Sequence, residues 1–219
     1  MPAQQVDLSY FNPNFTYPYQ LRQLDFQHAM QDIYDFFDDV NTLLRGKGLP
    51  RLDDMLRPAN LSGTISDMLT DSLASKSRSL KSNTHHNGHP DLVVNGKYAN
   101  NGVESGKEGV EIKSTLKPGG AVDTHGARDQ TMCVFVYSVD NDSQPVDARS
   151  PLTIREVYLA YVEKADFRLN GRKSATGTRT ATLDKAGLTK LRPSWVYLDP
   201  TWASPTHAYL RKLANRASS

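Results

Sequence analysis

Cysteine is nearly absent. Cys133 is the only one in 219 residues, so no internal disulfide can form and a reducing cytoplasm is the expected home. Long apolar runs are also missing. None approaches the roughly 18 residues of a membrane-spanning helix, and Met1 to Asp7 lacks the basic and apolar regions of a signal peptide, so a chain that is neither exported nor inserted is expected. Two sequence signatures are missing as well. No nucleophile elbow and no phosphate-binding glycine loop is present, which removes the enzyme classes built on them.

What is present suffices for a core. A hydrophobic share of 38% with 23% charged residues fits a globular domain, expected to span 1–219 as one unit. The net charge is only +2 but unevenly spread, with −5 over residues 1–75 and +7 over residues 76–219. A protein that grips a polyanion would lay its second part on it.

The stretch from His89 to Thr115 carries the chemistry. Asp91 leads into apolar Leu92, Val93 and Val94, two glycine-rich turns follow, and Val110-Glu111-Ile112-Lys113-Ser114-Thr115 alternates as a strand does. Glu111 and Lys113 then share one face, with Val110 and Ile112 on the other. Asp91 would join the first pair at one end of the sheet. Two neighbouring carboxylates repel unless a cation lies between them, and hard oxygen ligands suit Mg²⁺, which also takes up substrate phosphate. Lys113 could hold or activate a water against a phosphodiester.

Around this pair, Thr131 to Tyr137 is rich in β-branched and aromatic residues and reads as a further core strand that includes Cys133. Residues Tyr19 to Leu44 read as a helix, with Phe26, Met30, Ile33, Phe37, Val40 and Leu44 spaced by three and four. That stripe suits either packing on its own domain or a dimer seam. A second helix is expected near Gly63 to Leu80. Val157 to Val162 reads as a strand apolar on both faces, although Ser150-Pro151 could start a helix through it. Trp195 to Leu198 reads as a late strand, and Ser204-Pro205 opens a short helix ending near Asn215.

A Pro-Asp pair, a spacer and Glu-x-Lys on an adjacent strand resembles the PD-(D/E)XK nuclease superfamily, and the small size resembles its type II restriction endonucleases. The resemblance covers roughly residues 60–140, leaving 1–58 as an arm and helix with possible dimerisation and 141–219 as a DNA-contacting and sheet-completing part. It implies an α/β restriction-endonuclease-like core, a mixed central β-sheet flanked by helices. It also implies Mg²⁺ held by Asp91, Glu111 and the Ile112 carbonyl, with Lys113 as the catalytic lysine. Cleavage of double-stranded DNA would leave 5′-phosphate ends, and a homodimer would cut both strands.

Family members place a further acid on the preceding helix, which points to Asp67, with Asp71 in reserve. Thr64 with Asp67 also resembles a capping box. Elements after the catalytic strand commonly approach DNA in restriction enzymes, which nominates Lys117, His125, Arg128 and Gln130. Arg and Gln are residue types that read base edges. Independently of the resemblance, Arg168, Arg172, Lys173 and Arg179 lie in the most basic segment and suit phosphate contacts. His85, His86 and His89 could bind a transition metal, or merely line a solvated or phosphate-contacting loop. Alternatives kept open are a structure-specific or repair nuclease, a non-catalytic DNA-binding protein and a histidine-centred metalloenzyme.

Overall fold

The computed structural model describes residues 4–171 and 180–217. Its elements in order are helices α1 (Gln23–Gly46), α2 (Leu52–Met55) and α3 (Pro58–Lys76), then strands β1 (Leu80–Ser82), β2 (Leu92–Val94), β3 (Gly109–Thr115), β4 (Asp123–Thr124), β5 (Gln130–Ser138) and β6 (Thr153–Val162). Strands β7 (Phe167–Leu169) and β8 (Ala181–Leu183), helix α4 (Lys185–Leu191), strand β9 (Trp195–Leu198) and helix α5 (Pro205–Ala217) complete the chain.

Six strands form one sheet in the order β1-β2-β3-β5-β6-β9. Only β3 and β5 run parallel, pairing Val110 with Thr131 through Thr115 with Val136, and the other neighbours are antiparallel. The fold is therefore α/β with a mixed central sheet. A smaller sheet, β4-β8-β7, is hydrogen-bonded separately and packs on one face of the first.

Alternation along the strands divides the core in two. On one face Val110, Ile112, Cys133, Phe135 and Leu159 pack against Phe26, Met30, Ile33 and Phe37 of α1 and Ile65, Leu69 and Leu73 of α3. On the other, Met132, Val134, Val136, Tyr158 and Val162 meet Phe167, Ala181, Leu183 and Leu191. Strand β6 is covered on both faces, and no helix runs from Pro151 through it. Each fully buried aliphatic or aromatic side chain contributes about 1.5–3 kcal/mol, so the two layers hold the sheet without a disulfide.

Several helix limits differ from the sequence reading. Helix α1 starts at Gln23, not Tyr19, because Asp25 accepts the Arg22 backbone N–H at 2.8 Å and meets its guanidinium at 2.5 Å, an N-terminal cap. Tyr19 and Gln20 have positive φ, which ends any helix there. Of the expected stripe, Phe26, Met30, Ile33 and Phe37 are buried in the chain's own core and Val40 and Leu44 half-buried, so it is not a free dimer seam. Helix α3 begins five residues early, with Pro58 in its first turn where the missing N–H costs nothing. Thr64 thus lies inside the helix, its hydroxyl donating to the Asn60 carbonyl at 3.0 Å, and the Thr64–Asp67 capping box does not form. The same helix stops at Lys76, since Leu80, Lys81 and Ser82 pair with Val94, Val93 and Leu92 as strand β1.

Candidate metal and catalytic site

The site lies where strand β2 stops short. It pairs with β3 only at Leu92–Val110 and Val93–Gly109, so the edge of β3 beyond Val110 has no strand beside it. Asp91, one residue before β2, fills the first place along that edge, its Oδ2 accepting the Ile112 N–H at 2.8 Å. Gly109 makes the close approach possible. It sits at φ +138°, and a Cβ there would lie 1.9 Å from the Leu92 carbonyl oxygen.

Alternation then sends Glu111 and Lys113 to the same face. The Lys113 ammonium lies 2.5 Å from Glu111 Oε1, 3.1 Å from the Ile112 carbonyl oxygen and 3.7 Å from Asp91 Oδ2. These are the three oxygens nominated as metal ligands from the sequence. The lysine's own cation thus occupies a point at which two carboxylates and a carbonyl converge. Hard, partly charged oxygen donors of this kind suit Mg²⁺, which completes its shell with water and phosphate. Among the described residues no group of three or more His, Cys, Asp or Glu side chains converges to hold a metal, so the carboxylate count here is two.

Glu111 is also held from the other side. Its Oε2 lies 2.7 Å from Nδ1 of His89 and, among the described residues, accepts no well-aligned hydrogen bond. Burial pushes the Glu111 carboxyl up, but His89 and Lys113 outweigh it and draw it down to about 2. Burial dominates at Asp91 instead. It raises that carboxyl to about 6, with Lys113 opposing and the Glu111 charge assisting. Burial disfavours the Lys113 cation, yet Glu111 and Asp91 hold its pKa above the usual lysine value. Environments that push two adjacent carboxyls apart are characteristic of working sites.

A cleft of about 700 Å³ opens beside this cluster, lined by Asp91, Ile112, Lys113 and Thr115 on the strand side and by Ser62, Gly63, Ser66, Asp67 and Thr70 of α3. Small and hydroxyl side chains on the helix leave room for a backbone to approach. Asp67 is exposed on this wall, in the cleft with Asp91 and Lys113. Asp71 accepts a hydrogen bond from Ser82 at 3.2 Å and does not line the cleft.

Of the nominated DNA contacts, Lys117 and His125 border the cleft, Lys117 lying 3.8 Å from Asp123. Arg128 is exposed but outside the lining, and Arg168 is exposed on β7. Gln130 is a correction. Only 4% exposed at the start of β5 and paired with Val162, it presents no side chain to a base. Arg172, Lys173 and Arg179 lie outside the described residues. His85 and His86 are exposed, with His85 Nδ1 3.0 Å from the His86 carbonyl oxygen, so the histidine-centred alternative has no converging ligands among the described residues. His89, read from the sequence only as one of three loop histidines, separates from the other two by its contact with Glu111. Its spacing from Pro90 and Asp91 was visible, but only the turn that buries it shows its relation to Glu111.

Comparison with protein families, with characterised proteins and with solved structures gives no match. Among the described residues no helix is long and apolar enough to cross a membrane.

Proposed function

We propose that this chain is a Mg²⁺-dependent endonuclease that hydrolyses phosphodiester bonds of double-stranded DNA at a short specific sequence, with a core of the PD-(D/E)XK, restriction-endonuclease-like kind. The observation that carries this reading is the seat of the Lys113 ammonium against Glu111, Ile112 and Asp91. A cluster of hard oxygens with a lysine among them, at the edge of an open cleft, suits phosphodiester hydrolysis.

Asp91, Glu111 and the Ile112 carbonyl would hold the Mg²⁺. When bound, the ion supplies polarisation of the scissile phosphate and acidification of water. Asp91 is itself anchored beside β3 by accepting the Ile112 N–H. Lys113, on its flexible stem in the same cleft, orients the attacking water and offsets charge developing on the phosphate. Asp67 adds a third carboxylate on the opposite wall. The bond broken is the one to the 3′ oxygen, leaving 5′-phosphate and 3′-hydroxyl ends.

Lys117 and His125 at the rim, and Arg128, Arg168 and the basic residues Arg172, Lys173 and Arg179, supply charge for the DNA backbone. The +7 balance of residues 76–219 supports the same partner. Cutting both strands of a palindrome calls for two copies related by the DNA's twofold axis. With the α1 stripe buried, a homodimer would use another surface.

Digestion of a long, defined DNA with purified protein and Mg²⁺, resolved on a gel, tests this. Discrete bands that vanish with EDTA and in Glu111→Ala are expected, and their ends give the recognition site. A Mg²⁺-dependent smear or selective cutting of branched DNA would replace the sequence-specific reading with a structure-specific or nonspecific nuclease. DNA binding with no cutting under any divalent cation would overturn catalysis.

A further inference from the structure

We propose that His89 is a positioning residue for the cation site, fixing the Glu111 carboxylate in the orientation that a divalent cation requires. This rests on the reading of Asp91, Glu111 and Ile112 as metal ligands. Glu111 is met at both oxygens, Oε1 by a hydrogen bond from Lys113 at 2.5 Å and Oε2 by a close polar contact with His89 Nδ1 at 2.7 Å. The two holders differ in permanence. Lys113 sits where the cation belongs, so a bound cation competes with it for Oε1. His89 approaches from the other oxygen and stays.

The fold builds this histidine in. Its backbone N–H donates to the Glu104 carbonyl at 3.1 Å, and its own carbonyl accepts from Gly106 N–H at 2.6 Å. The Asn83 side-chain amide donates to the Pro90 and Val103 carbonyls at 3.0 and 2.8 Å and accepts from Val103 N–H at 3.0 Å, clamping the turn on both sides. The His89 side chain keeps only 8% of its surface. A buried imidazole in a turn pinned by five hydrogen bonds has little freedom to leave its carboxylate.

The reason for such a device is rotational. A glutamate has three rotatable bonds, and ordering that side chain costs conformational entropy when nothing else holds it. A ligand carboxylate that is already oriented binds its ion without that cost. Groups that hydrogen-bond to a ligating side chain commonly change metal affinity by about 10- to 100-fold on removal.

Isothermal titration of Mn²⁺ into wild-type protein and into His89→Ala, His89→Gln and His89→Asn, with thermal melting of each, tests the assignment. The Asn amide nitrogen can stand where Nδ1 stands, whereas the Gln amide reaches past it. Wild type and His89→Asn should agree within about threefold, and His89→Ala and His89→Gln should bind about 10- to 100-fold more weakly at a temperature where all are folded. Wild-type affinity in folded His89→Gln overturns the inference, as does a His89→Asn variant as weak as His89→Gln. If His89→Ala does not fold, the Asn and Gln pair decides. A wild-type protein that binds no Mn²⁺ overturns the nuclease reading itself, and that result is distinct because it appears before any variant is made.

Discussion

Replacing Lys113, the proposed catalytic lysine, should make the protein bind divalent cations more tightly while abolishing cleavage. Lys113→Met keeps the length and apolar stem but removes the ammonium that meets Glu111 Oε1 at 2.5 Å and the Ile112 carbonyl at 3.1 Å. A divalent cation entering the same point must break those contacts. A hydrogen bond to a charged group contributes about 1.5–3 kcal/mol net, and each 1.4 kcal/mol is tenfold in affinity. The side chain is 20% exposed, so solvent lowers the yield and the low end is appropriate, about a tenfold gain. One effect opposes it. Without Lys113, Asp91 and Glu111 lose a cation and bind protons more readily, so the titration belongs near pH 8, where both remain charged. Isothermal titration of Mn²⁺ reads the affinity directly, with DNA cleavage as the parallel assay. Unchanged or weaker binding in Lys113→Met would refute the claim that the ammonium occupies the cation's place.

Three further outcomes are expected. Gly109→Ala, which puts a Cβ against the Leu92 carbonyl at a positive φ, should cost more than about 3 kcal/mol and lower the melting temperature by roughly 6–12 °C, read by circular dichroism. Tyr158→Phe removes a donor to Glu156 at 2.6 Å in a buried cluster with Thr206 and Gly119 N–H. It should cost about 1–3 kcal/mol in chemical denaturation without changing Mn²⁺ affinity. At subsaturating Mg²⁺, cleavage should fall as pH drops through about 6, the value to which burial lifts Asp91 from 3.8 in the metal-free site, because a proton there competes with the ion. Glu111, held near 2, stays charged in that range. The sign for stability is opposite, because a carboxyl whose pKa rises on folding favours the folded state when protonated. Asp91 therefore weakens the fold as pH rises from about 4 to 6, and rate profiles and melts over pH 4–8 separate the two effects.

The parts legible in the sequence were those written in local period or composition. Val110 to Thr115 follows the two-residue period of a strand, which alone placed Glu111 beside Lys113 and left Ile112 in the core, whereas Thr131 to Tyr137, apolar on both faces, was legible from its β-branched and aromatic content. The α1 stripe was legible from its own period of three to four. What escaped depends on distant partners. Leu80-Lys81-Ser82 has no strand signature and becomes β1 only because Leu92 to Val94 lies alongside. Strand β4 is two residues long and exists through pairing with β8, 57 to 59 residues later. Gln130 has the chemistry to read a base, but pairing with Val162 buries it. The end of α1 was readable from Arg45-Gly46, whereas its start was not, since the cap at Arg22 is made by Asp25 reaching back. Pro58 was available as a first-turn signal for α3 and was passed over in favour of Thr64. His89 lay hidden among polar neighbours because a cluster of histidines in a turn carries no period.

The central claim is that Asp91 and Glu111 build a cation site that cuts DNA. The most direct measurement is the single-turnover cleavage rate of a defined duplex at saturating Mg²⁺ for wild type, Asp91→Asn and Glu111→Gln, each confirmed folded by its melting curve. Both variants should lose cleavage by about a thousandfold or more, as removal of essential catalytic groups does, while the products of the wild-type reaction carry 5′-phosphates. Cleavage by Glu111→Gln at the wild-type rate would contradict it.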